Sequence, residues 1–289
     1  MRGLVKKRTY IIIGILCFIF MVYTVLQEQN ILASIFKYIF DVNYRTKFAP
    51  DKGINGVMPI PRMIVFAIRD NSFWAFDAAI VGGTSLFQLV IPFLGVIGGI
   101  MFYRKHTSIA TYEFYRVNDY RKTILQEILL VSAKIACSIF IGYVAYMIFV
   151  NFLAGQNPYI SGERDFLLDI FGKSFYSNSI FIYFLIEGWF RFFLVPFVYA
   201  VLSSSICLIA KSEKQVIFYP CLYYFGFSAL GFGLTYIIGI NAIYFNPSVM
   251  MASGDYIDVN SLLLIFITCS IPLIIGLTII VRETKHVEI

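Results

Sequence analysis

Long apolar runs separated by short polar stretches dominate the chain. Six runs stand out, Tyr10 to Leu26, Phe87 to Phe102, Ile128 to Val150, Ile180 to Ala210, Val216 to Ile240 and Leu262 to Val281. A helix needs roughly 20 apolar residues to cross a bilayer, and each of these runs is close to that length or longer. The pattern predicts an all-α polytopic membrane protein with six transmembrane helices in a single membrane domain, residues 1–289. The first run passes into the polar Gln27-Glu28-Gln29-Asn30 without a small-residue cleavage site, so it reads as a span rather than a cleaved leader.

The polar stretches are unequal. Residues 27–84 form an excursion too long for a simple connection. In it Ile31, Leu32, Ile35, Phe36, Ile39 and Phe40 recur at the spacing of an amphipathic helix. A Pro/Gly-rich stretch from Ala49 to Arg62 and a second apolar stretch with Trp74 follow, predicting a helical cap on the outward side. Between the fourth run and its predecessor, Phe166, Leu167, Ile170 and Phe171 again have helical spacing. The segment Asn241 to Asn260, with Asn246-Pro247 and Ser253-Gly254-Asp255, could dip back into the membrane before the last span.

Basic residues set the expected orientation. They crowd the amino terminus (Arg2, Lys6, Lys7, Arg8), the stretch after the second run (Arg104, Lys105, Arg116, Arg121, Lys122), the link Lys211 to Lys214, and the tail (Arg282, Lys285). The other side is sparser for its length, so the positive-inside rule predicts both termini in the cytoplasm. That distribution accounts for the net charge of +6 without a nucleic-acid face. With 59% hydrophobic and 14% charged residues, the composition excludes a soluble domain of this length.

Candidate chemistry is thin. The five cysteines, Cys17, Cys137, Cys207, Cys221 and Cys269, fall inside predicted spans without metal-ligand spacing, and His106 and His286 lie in polar segments. No metal site and no catalytic residue is expected. Ionisable groups within spans are the functional suspects: Glu127 and Lys134 in the third, seven residues apart, and Glu187 and Arg191 in the fourth, one helical turn apart. Glu-x-x-x-Arg resembles a segment of intramembrane proteases that act on prenylated proteins. That chemistry needs a second acidic residue beside the first and histidines on later helices, which this chain lacks. An ion pair near the outer interface anchored by Trp189 is the expected role, with a place in the substrate path as the alternative. Lys134 lies near enough to the inner end to snorkel.

Pro92, Pro196, Pro220 and Pro272 each interrupt a different span and delete a backbone hydrogen bond. Gly95 and Gly99 follow Pro92 at close-packing spacing, and Gly226, Gly231 and Gly233 form a smooth strip after Pro220. The second and fifth spans are therefore the expected place of a subunit contact or a moving gate.

The polar segment Tyr103 to Lys122, YRKHTSIATYEFYRVNDYRK, stands between the second and third spans. Ala110-Thr111-Tyr112-Glu113, then Asn118-Asp119, then Arg121-Lys122 entering the third span, resemble the coupling segment of type-2 ABC exporter permeases. In that family the pattern is Gly-Thr-x-Glu, Pro and a basic pair. Alanine replaces the glycine here, the Pro turn is absent, and Glu127 stands where lysine is frequent. The layout of one span, a large outward excursion, a second span, this segment and four more spans is similar too. The resemblance implies a cytoplasmic coupling helix, residues 103–122, docking through Thr111, Tyr112, Glu113, Tyr115, Arg116, Asp119 and Arg121 onto an ABC ATP-binding subunit. It further implies a second permease subunit, either an identical or a related chain.

No Gly-x-x-x-x-Gly-Lys-Ser/Thr occurs, so the chain is not expected to be an enzyme: ATP and Mg would belong to the partner subunit, with no cofactor on this chain. The expected function is export of an amphipathic or hydrophobic substrate, a peptide, lipid or drug, by alternating access across the cell membrane. The alternative for the segment is a helix lying on anionic membrane lipid. The alternative for the chain is an ATP-independent secondary carrier or a peptide-immunity or sensor protein.

Overall fold

The computed structural model describes residues 2–28, 31–41, 60–107, 120–156, 167–239, 242–251 and 261–285. Among these every regular element is a helix. In chain order they are α1 (Arg2–Glu28), α2 (Ile31–Phe40), α3 (Ile60–Ser72), α4 (Phe76–Thr84), α5 (Phe87–His106), α6 (Tyr120–Ala154), α7 (Leu168–Asn178) and α8 (Ile180–Gly188). A π-helix, Trp189–Leu194, joins α8 to α9 (Val195–Ile206). There follow α10 (Glu213–Phe232) with a π-helical end, Gly233–Ile238, a 3-10 turn Ile243–Phe245, α11 (Pro247–Met251) and α12 (Ser261–Lys285).

Six of these units are long and apolar enough to cross a membrane, and the chain is a multi-pass membrane protein. Span I is α1, II is α5, III is α6, IV runs from α8 through the π-helix to α9, V is α10 with its π-helical end, and VI is α12.

Span IV is the centre of the bundle. Half of its window (50%) is buried against 11% for span V, so IV is the most enclosed of the six while V shows most of its surface to the outside. Its α9 half packs against II, III, V and VI. Close approach to span II follows from small residues: a Cβ added at Gly95 would lie 2.9 Å from Tyr199 Cβ, and one at Gly98 3.3 Å from Ala200 Cβ. Spans I and III cross in parallel where Gly14 meets Ser138 and Gly142.

The segment expected to be a cap contributes α2, α3 and α4. Helix α4 is buried, with Gly82 against Val25 and Glu28 of span I and Gly83 against Tyr146 of span III. The amphipathic α2 turns Ile31 and Tyr38 towards Ala67 of α3, whereas Phe36 and Phe40 stack on each other at the exposed side. The expected face is therefore split, because Tyr38 of α2 itself takes the position buried against α3. Residues 42–59 of the excursion lie outside the described residues. In the last connection, α11 packs its Val249, Met250 and Met251 against spans II, V and VI.

Candidate functional site

Proline in spans II and V organises a contact between spans II, IV and V. Pro92 has no N–H, which frees the carbonyl of Gln88 four residues earlier. The Tyr224 hydroxyl of span V donates to that oxygen at 2.7 Å. Pro220 likewise frees the carbonyl of Val216, and the Ser203 hydroxyl of span IV points to it at 3.4 Å. Hydroxyl groups on neighbouring helices thus satisfy backbone groups that lipid would leave bare. All four span prolines, Pro92, Pro196, Pro220 and Pro272, are buried, so each break faces protein.

The glycines divide sharply. Gly95 meets Tyr199, Gly99 meets Ser203 and Val216, and Gly231 meets Asn246, so an added Cβ would collide at each. Gly226 and Gly233 have nothing within 4 Å of such a Cβ. The strip expected along span V therefore serves packing within the chain only at Gly231, since Gly226 and Gly233 lie on the open side.

The Pro196 break takes a different form. The Val195 N–H reaches back five residues to Phe190 O, and this wider π turn absorbs the register change just before the proline. At its start, Arg191 Nη1 lies 2.7 Å from Glu187 Oε1, with the side chains only 4% and 2% exposed. The pair forms as its spacing required, and neighbouring helices enclose it. Trp189, on the other side of the turn, is exposed. Tyr143 of span III closes over this region: its ring stacks on Phe192 with centroids 4.4 Å apart, packs against Gly188, and its hydroxyl donates to Phe184 O at 2.9 Å.

A second buried carboxylate, Asp77 of α4, lies towards the opposite end from Arg104. It accepts from Tyr176 Oη at 2.9 Å and from Ala78 N–H at 2.8 Å. Tyr183 packs edge-on to Tyr176 and accepts from Leu167 N–H. The sequence carried a signal for this site, an aspartate inside the apolar Phe76-Asp77-Ala78-Ala79-Ile80. Its partner Tyr176 comes from an element 99 residues away and could not be read from spacing.

At the basic end, Arg104 pairs with Glu213 at 2.8 Å and Lys105 with Glu127 at 2.6 Å. His106 Nε2 lies 3.4 Å from Tyr120 Oη, across the intervening segment. Glu127 is thus the partner of Lys105, Lys134 is exposed, and Arg121 is exposed at the start of α6. Thr111, Tyr112, Glu113, Tyr115, Arg116 and Asp119 lie outside the described residues. Helix α5 runs one turn beyond the apolar run to His106, and α6 begins two turns before it at Tyr120, because polar positions continue a helix once its apolar part has nucleated it. Basic residues at the end of α5 also suit the helix dipole.

No group of three or more potential metal ligands occurs among the described residues. Comparison with protein-family models, curated proteins and solved structures returns no match.

Proposed function

We propose that the chain is the membrane-spanning permease subunit of an ATP-driven exporter, moving an amphipathic or hydrophobic substrate with energy from a separate ATP-binding subunit. The observation that carries this reading is the tie at the basic end. Arg104–Glu213 and Lys105–Glu127 join the end of span II to the beginnings of spans V and III. The His106–Tyr120 contact draws together the two ends of the segment between them. A push on that segment from the cytoplasm would reach three spans at once. Span V meets II and IV through the hydroxyl bonds at Gln88 and Val216, so the motion passes to the centre of the bundle. Alternating access then follows from two arrangements of these spans whose balance ATP biases. Two permease chains, identical or related, would complete the assembly in the cell membrane, with ATP and Mg held by the partner subunits.

The experiment is affinity purification of the full chain from its native host, with identification of any co-purifying ATP-binding protein and measurement of substrate-stimulated ATP hydrolysis. Tyr112→Ala with Glu113→Ala should lose the ATPase subunit, since truncating a central interface anchor costs about 2 kcal/mol or more. Arg104→Ala with Lys105→Ala should keep the subunit and lose stimulation by substrate, because these residues tie spans together. Absence of any ATP-binding partner, or full retention and activity in the Tyr112 and Glu113 variant, overturns the reading.

A further inference from the structure

Between spans I and III lies an open groove of about 430 Å³ lined by Tyr10, Gly14, Phe18, Ser138, Ile141 and Ala145 among others. Its wall is apolar except at one end. An added Cβ at Gly14 would lie 2.9 Å from Ser138 O, which sets these two residues at one level of two parallel helices. Tyr10 stands four residues before Gly14, and Lys134 four residues before Ser138. Helical spacing therefore sets a phenol in the groove and an ammonium just beyond its lining at the same end, about 6 Å from the crossing.

Lys134 is exposed within an apolar span, and among the described residues no carboxylate pairs with it. Side chains on a helix lean towards its amino terminus, so the ammonium of Lys134 rises towards the basic end of the bundle. Glu127, a carboxylate near enough for its charge to reach the Tyr10 phenol, is held by Lys105 at 2.6 Å, which offsets that charge at the mouth of the groove. Arg8 is exposed two residues before Tyr10 and adds positive charge at the same end. The groove thus joins an acyl-sized apolar channel to a cationic mouth, which the long stem of Lys134 extends towards the basic end.

We propose that this groove is a binding site for an anionic phospholipid, one acyl chain lying along Gly14, Phe18, Ile141 and Ala145 and the phosphate held by Lys134 and the Tyr10 hydroxyl. The charge decides the occupant. A zwitterionic lipid gains less from the ammonium, and an apolar face of a second copy would leave Lys134 buried without a counter-charge.

The test uses the full chain purified in neutral detergent, titrated with phosphatidylglycerol or with phosphatidylcholine of the same acyl chains, reading bound lipid by native mass spectrometry and thermal stability in parallel. Phosphatidylglycerol should be retained preferentially. Lys134→Gln should weaken it about fivefold, Lys134→Arg should restore it, and Lys173→Gln, an exposed lysine far along the chain, should leave it unchanged. Ala145→Phe, which fills the groove from its exposed side, should abolish retention of the lipid without loss of fold. Equal retention of the two lipids, or parental affinity in Lys134→Gln, overturns the proposal. Altered self-association in Ala145→Phe with lipid retention intact overturns it too, and assigns the groove to a second copy.

Discussion

Single side chains in this bundle act mainly by finishing what the backbone leaves open. Tyr224 supplies the hydrogen that Pro92 withholds from Gln88 O. Tyr224→Phe should therefore lower stability in detergent by about 1–2 kcal/mol, the cost of a bare buried acceptor. Adding Pro92→Ala, which restores the backbone donor, should recover part of that loss, and a double-mutant cycle on unfolding midpoints measures it. Simple additivity would show that the two residues act separately. The Glu187–Arg191 pair follows a harsher rule. Removing one partner leaves a buried charge uncompensated, a loss of about 3–5 kcal/mol. Either alanine change should reduce folded yield, and exchanging the two residues should return much of it. Normal yield with lost transport in the single variants would instead give the pair a role in the pathway.

At the scale of helices, burial separates the spans that hold the bundle from the one that borders it. Spans II and IV meet through Gly95 and Gly99, so Gly99→Val should unfold or misassemble the protein by forcing contact with Ser203 and Val216. Gly226→Ala on span V meets nothing within 4 Å and should be neutral or stabilising by about 0.5–1 kcal/mol, as glycine costs that much inside a helix. Measuring monomer stability and oligomeric state for both variants tests more than packing. A loss of assembly in Gly226→Leu with an intact monomer would show that the open side of span V faces another subunit. The π turn in span IV belongs to the same scale, since Pro196 alone announces a break while its form depends on the helices around it.

For the whole molecule the central question is orientation. By the positive-inside rule, the crowding of basic residues predicts Ser108 and Lys285 on the cytoplasmic side and Asn55 outside. With the native cysteines replaced, single cysteines at Ser108 and Lys285 should resist an impermeant thiol reagent in intact cells, and one at Asn55 should react. Labelling of Ser108 from outside would invert the bundle and remove the ATP-driven reading with it.

The number of spans and the ion pair in the fourth were legible from the sequence, because both rest on local spacing. An apolar run of some 20 residues must be helical to satisfy its backbone in lipid, and residues four apart on such a helix must be neighbours. The prolines were legible as breaks for the same reason. Their partners were not: nothing near Gln88 or Val216 in the chain names Tyr224 or Ser203. Arg104 and Lys105 read only as part of the basic crowding after the second run, and became ties between spans once Glu213 and Glu127 were brought beside them. The glycine strip of span V looked uniform, yet Gly231 is packed and Gly226 open, since only the neighbouring helix decides which face is covered. Hydrophobic periodicity specifies each helix and its inward tendency. The choice of partner depends on contacts between residues far apart in the chain, and these exist only after the helices have assembled.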